Sequence, residues 1–170
     1  VALNVETGAG SANSEAYASV ADFKSYCDAR GISYAALSDA QIEQRLRLGA
    51  DYMVSVYRDA WAGNRVSSTQ ALDWPRQNVT MKDGPGQNLY PDYYPNNAVP
   101  DAVKRANIEL ANRAGSPLIP DETQAVKRKK VGPVEVEYAD YSRATRTYRA
   151  IDTLLAPLLA AGGGVKVVRA

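Results

Sequence analysis

Histidine is absent from this 170-residue chain. That removes the usual general base near neutral pH, the usual nucleophile triads and most zinc sites. Cysteine is nearly absent: Cys27 stands alone, so no disulfide forms within the chain, and its place on an apolar helical face marks a small buried hydrophobe. No apolar run approaches the roughly 18 residues a membrane helix needs. No basic-plus-apolar signal segment opens the chain, so synthesis inside a cell with no membrane partner is the expectation. The carboxylates lack the Asp-x-Asp or Glu-x-x-Glu spacing of a magnesium or calcium site, and neither glycine-rich phosphate-binding pattern occurs. Catalysis, a cofactor and a metal are therefore not expected.

What the chain has is an ordinary globular composition, 45% hydrophobic and 23% charged, enough for one domain or one domain with an arm. The net charge of +1 argues against a dedicated nucleic-acid binder, whose affinity comes largely from neutralising phosphates. The charge is uneven. Residues 1–60 hold eight acidic and five basic side chains, whereas residues 121–170 hold six and nine, an asymmetry that suits head-to-tail contact between copies.

Residues 1–18 read as extended. Ser19-Val20-Ala21-Asp22 resembles a capping box, and Val20, Phe23 and Cys27 follow at helical spacing up to Gly31, predicting a helix over 19–30. Ser38-Asp39-Ala40-Gln41 is a fuller capping box. The stripe Ile42, Leu46, Ala50, Met53, Tyr57 predicts a helix over 39–59 with a core-facing side. A third helix begins with Pro100 at its first position, buries Val103, Ala106, Leu110 and Ala114, and stops at Gly115. Its small alanines predict close approach to the second helix.

Between the second and third helices, residues 61–99 lose helical periodicity and carry four prolines, which reads as a long irregular loop. Its tyrosines, Tyr90, Tyr93 and Tyr94, suit a protein interface better than base stacking, since few cations accompany them. Trp74 and Pro75 read as structural anchors pinning this loop to the core.

Beyond Pro120 the period changes to two. Val134, Val136 and Tyr138 alternate with glutamates, and Lys127-Arg128-Lys129-Lys130 precedes them, predicting a two-stranded ribbon with basic residues opposite acidic ones. The basic run has alternative uses, as a partner surface or on DNA. A helix over 148–161 follows, kinked at Pro157. The chain ends with three glycines and then Val165, Lys166, Val167, Val168, Arg169 and Ala170, a strand-like segment on a flexible tether, suited to docking on a sheet edge of its own or a neighbouring domain. The expectation is a mainly α fold: a helical core with its loop over residues 1–120, then ribbon, kinked helix and extended C-terminal arm over 121–170.

Arg65 to Arg76, with its Ser-x-x-Gln-x-Leu-x-Trp-Pro-Arg spacing, resembles a segment of a family of tailed-phage structural proteins. Lys130-Val131-Gly132-Pro133-Val134-Glu135-Val136-Glu137-Tyr138 resembles their ribbon. Asp152 to Leu159 with the glycine-rich, arginine-ended tail resembles their C-terminus, and Thr7 to Asp22 resembles their opening. The family is the phage and prophage head–tail connector (adaptor) group, some of whose members carry the label DnaT-like single-stranded-DNA-binding protein. The resemblance implies a non-catalytic subunit of a ring, usually twelvefold, made in the host cytoplasm and placed in the virion between the portal and the tail or its terminator or stopper protein, with DNA passing through the lumen without sequence specificity. It leaves residues 78–97 without a role. Two other classes compete: a single-stranded-DNA binder using Lys127–Lys130 with nearby tyrosines, and a regulatory or chaperone subunit that binds one partner helix.

Overall fold

The computed structural model describes residues 2–84, 91–115, 118 and 148–160, together with the backbone of 128–131 and 134–137. The fold is mainly α. Its helices are α1 (Val20–Asp28), α2 (Asp39–Tyr57), α3 (Asp101–Arg113) and α4 (Arg149–Leu155), the last running into a 3-10 turn over Ala156–Leu158. Two antiparallel pairs complete it, β1 (Asn64–Arg65) with β2 (Arg76–Gln77), and β3 (Arg128–Val131) with β4 (Val134–Glu137).

Both capping boxes form. Ser19 and Asp22 exchange side-chain-to-backbone bonds at the start of α1, and Ser38 and Gln41 do the same for α2, each satisfying donors that a helix start otherwise leaves open. Helix α1 ends two residues earlier than its pattern predicts, and Gly31 follows with φ +64°, the left-handed geometry that glycine tolerates. Pro157 does not kink a longer helix. Regular α4 stops at Leu155 and the 3-10 turn accommodates the proline, which lacks the N–H that a continuing helix needs.

Helix α2 packs chiefly on α3, with α1 against α2 and α4 against α3. The stripe read from the sequence, Ile42, Leu46, Ala50, Met53 and Tyr57, is fully buried. Two core clusters result. Phe23, Cys27, Ile42, Leu46, Ile108 and Ala111 join α1 to α2 and α3. A larger cluster joins Met53, Tyr57, Val103 and Leu110 to Trp61 and Trp74 of the long loop and to Ile151, Leu155 and Leu158 of the C-terminal segment. Residues 149–160 thus share the core of the first 120 residues, and burial of each such aliphatic side chain contributes about 1.5–3 kcal/mol.

Candidate functional site

The long loop is more ordered than its composition predicts, because its own side chains supply the hydrogen bonds that a regular element would. Gln70 is 3% exposed. Its Oε1 accepts from the Ser67 N–H at 3.0 Å, and its Nε2 donates to the carbonyls of Leu72 and Pro75 at 2.8 and 3.1 Å. Arg76, also buried, spreads its guanidinium over the carbonyls of Ala62, Gly63 and Asp73 at 2.8, 2.7 and 3.2 Å. Burial pushes the Arg76 pKa down while the Asp73 carboxylate acts in the opposite sense. A planar fork with several donors fits three carbonyls in a way a lysine ammonium does not.

Asp73 is 1% exposed, and it accepts from Arg58 Nε at 3.0 Å and Trp61 Nε1 at 3.3 Å. The Tyr17 hydroxyl accepts from the backbone N–H of both Asp73 and Trp74, at 3.0 and 3.3 Å. Between these clamps Trp74 is fully buried, followed by a cis peptide to a buried Pro75. Trp61 and Tyr94 meet the indole edge-on, at centroid distances of 5.9 and 6.3 Å. The Trp74 indole N–H has no hydrogen-bond partner among the described residues. Such a group serves packing and offers no face to a base.

The tyrosines of the loop separate. Tyr94 is half-buried against Trp74, Tyr93 is 51% exposed, and Tyr90 lies outside the described residues. Tyr93 stands opposite Thr80 in an antiparallel bridge closed by Met81 N–H to the Asp92 carbonyl and Tyr94 N–H to the Val79 carbonyl. Residues 79–81 and 92–94 therefore form the base of a hairpin, which lacks the helical or long-strand period that sequence reading detects. Lys82 ties this hairpin to the Ala156 carbonyl of the C-terminal turn at 3.2 Å.

In the ribbon, Arg128 stands opposite Glu137, Lys129 opposite Val136, Lys130 opposite Glu135 and Val131 opposite Val134. Two members of the basic run thus occupy register positions facing glutamates. Lys127 and Tyr138 lie outside the described residues, as does the segment Val165–Ala170. The approach to that segment is defined. Ala62 N–H donates to the Leu158 carbonyl at 3.0 Å and Ala160 N–H to the Ala60 carbonyl at 2.9 Å. This short antiparallel ladder pairs residues 60–62 with residues 158–160, the last described residues before that segment.

Two further polar centres gave no periodic signal. Glu6, 1% exposed, accepts from the N–H groups of Gly8, Gly10 and Ser11 and from the Ser14 hydroxyl, at 2.8 to 3.0 Å. Burial raises its pKa, but these donors outweigh burial and hold the carboxyl below its ordinary value. The opening segment, read from the sequence as extended, is therefore closed into a loop over residues 6–14. Asn107, fully buried, accepts from the Tyr17 N–H and donates to the Leu46 carbonyl. Among the described residues no group of three or more Cys, Asp or Glu side chains is placed to hold a metal ion, and no helix is long and apolar enough to cross a membrane.

A family model described as "Putative DnaT-like ssDNA binding protein" matches residues 1–170. The chain belongs to this DnaT-like family. No curated protein and no solved structure matches it. In this member of the DnaT-like family, the Gln70 and Arg76 clamps give a structural account of the Ser-x-x-Gln-x-Leu-x-Trp-Pro-Arg segment, as a self-caging loop.

Proposed function

We propose that this DnaT-like family member is a structural assembly subunit, a head–tail connector (adaptor) that joins copies of itself into a ring, docks on a portal and links it to the tail, with DNA passing through the lumen. The observation that carries this reading is where the aromatic rings lie. Tyr17, Tyr52, Tyr57, Trp61 and Trp74 are committed to the core, and Tyr93 is the one aromatic among the large hydrophobic side chains left exposed in the described residues. A single-stranded-DNA binder needs stacking platforms beside a basic groove. Several surface cations are instead matched to carboxylates: Arg47 with Glu15 and Glu43, Lys24 with Asp39, Arg113 with Glu109 and Arg58 with Asp73. The reading takes the helical core as the wedge of the ring and Val165–Ala170 as the segment that docks on the portal or an adjacent subunit, with the virion as the working location it implies.

The family description favours a second reading, single-stranded-DNA binding through Lys127–Lys130. Native mass spectrometry of the full chain with and without portal, set beside oligonucleotide affinity over a salt series, separates the two. Rings that join portals, and that lose this ability when Val165–Ala170 are deleted, support the connector. Monomers with a DNA affinity that falls steeply with salt support the second reading and reject the first.

A further inference from the structure

We infer that copies of this chain associate head to tail, the exposed stripe of α2 on one copy seating in the groove between α1 and α3 of the next. The inference rests on the self-assembly part of the reading above and names the two faces involved. Gln44, Leu48, Asp51 and Ser55 are exposed along α2, at the four-, three- and four-residue spacing of a single stripe. That stripe lies opposite the buried side of α2 formed by Leu46, Ala50, Met53 and Tyr57. Leu48 is 50% exposed at its centre, and Leu48 and Tyr93 are the exposed large hydrophobic side chains among the described residues. Asp51 makes no ion pair with a described residue, and partial burial alone raises its pKa.

The receiving groove has a volume of about 380 Å³ and is lined in part by Tyr26, Arg30, Lys104, Arg105 and Ile108. Ile108 is buried at its base, Ala29 is exposed on its wall, and the Arg30 guanidinium lies 3.6 Å over the Tyr26 ring, so the walls combine a small apolar surface with positive charge. Lys104 and Arg105 make no ion pair with a described residue. Asp22 and Asp101 share the lining, and Asp22 is occupied by the α1 capping box. A leucine flanked by a carboxylate that has no ion pair among the described residues matches the chemistry and charge of such a groove, the helix-in-groove mode of recognition. A nucleic-acid strand matches it less well, since it would set a run of phosphates against the two aspartates, where the α2 stripe brings a single carboxylate. The groove opens on the side of α1 and α3 away from α2, because the side toward α2 is filled by Phe23, Ile42, Leu46 and Ala111. Donor and acceptor faces are therefore different surfaces of one molecule. Contact between them is heterologous and repeats from copy to copy, closing into a ring where the rotation permits.

The test is sedimentation velocity of the full chain over a concentration series, with thermal melts to verify folding. The altered side chains sit on the surface, so each variant should melt near the wild type. Leu48→Glu, and Lys104→Glu combined with Arg105→Glu, should each weaken self-association by roughly ten-fold or more. Adding Asp51→Lys to the double reversal should restore part of it by exchanging the signs across the contact. A wild-type chain that stays monomeric at its highest soluble concentration overturns the inference, as does assembly unchanged by both reversals. Loss of oligonucleotide binding in the double reversal with self-association intact would also overturn it, by assigning the groove to phosphates. Portal capture is scored separately: copies that associate through these faces but never join a portal reject the connector reading and leave this contact standing.

Discussion

Gly49 and Asn107 meet where α2 packs on α3, so closely that a methyl group at position 49 would lie 2.9 Å from both the side-chain nitrogen and the backbone oxygen of Asn107. The same asparagine bonds the Leu46 carbonyl on α2 and the Tyr17 N–H in the segment before α1. One missing side chain thus lets one buried amide join three parts of the chain.

Gly49→Ala sets two effects against each other. Alanine gains about 1 kcal/mol of helix propensity over glycine, but overpacking at a backbone atom costs about 1–3 kcal/mol. The second wins, because the Asn107 carbonyl belongs to α3 and cannot swing aside as a flexible side chain would. Urea denaturation should show a net loss of about 1–2 kcal/mol; a gain in stability would mean that α2 and α3 separate easily.

Glu6→Gln should destabilise the opening loop by about 1–3 kcal/mol, since the amide nitrogen would face N–H donors that now have a carboxylate acceptor. The carboxyl is held below its ordinary value in the folded chain. Its contribution is accordingly present above that value and is lost as pH falls through the lower folded pKa. Acid titration of the melting temperature should be steeper for the wild type than for the glutamine variant, and identical slopes would count against the cage.

Trp74→Ala should cost about 3–5 kcal/mol, the range for emptying a large core site. For a chain of this size that lowers the melting temperature by several degrees per kcal/mol lost. An unchanged melting temperature accompanied by lost DNA affinity would make Trp74 a recognition residue instead of an anchor.

Arg76→Lys tests the clamp without removing the charge. A lysine cannot span three divergent carbonyls, so a loss of about 2 kcal/mol or more is expected. Amide hydrogen exchange should accelerate across residues 61–77, the segment the clamp closes, while α1 keeps its protection.

Tyr57→Phe removes the hydroxyl that donates to Asp152 and joins α2 to α4. Burial first, and then this carboxylate, raise the Tyr57 pKa. A loss of about 1 kcal/mol is expected, with faster exchange in residues 149–158 as the local sign of a loosened α4.

The helices were legible because their signals are local. Two capping boxes and one apolar stripe marked the starts of α1 and α2 and the core face of α2, and the alternating valines and glutamates gave the ribbon. The long loop was not, because its order comes from Gln70 and Arg76 bonding backbone carbonyls, and a polar side chain turned inward looks the same in sequence as one turned out. Glu6 escaped for the same reason, although the positive φ of Gly8 and Gly10 shows what those glycines allow: a chain wrapped tightly enough to aim its amides at one carboxylate. The groove between α1 and α3 was invisible as well, since it is assembled from two helices far apart in the chain.

The hairpin base carries a safeguard in its outer strand. Tyr94 N–H and the Asp92 carbonyl are used toward residues 79–81, so the backbone of Tyr93 points away from the pair, and with a period of two the next positions directed the same way are Pro91 and Pro95. Neither proline has an N–H to offer, and prolines at such positions blunt a sheet edge against further pairing. Of these three outward positions, only Tyr93 can donate. However many copies are brought together, this edge offers a neighbouring strand few donors, and edge-to-edge zipping is disfavoured where the hairpin stands exposed.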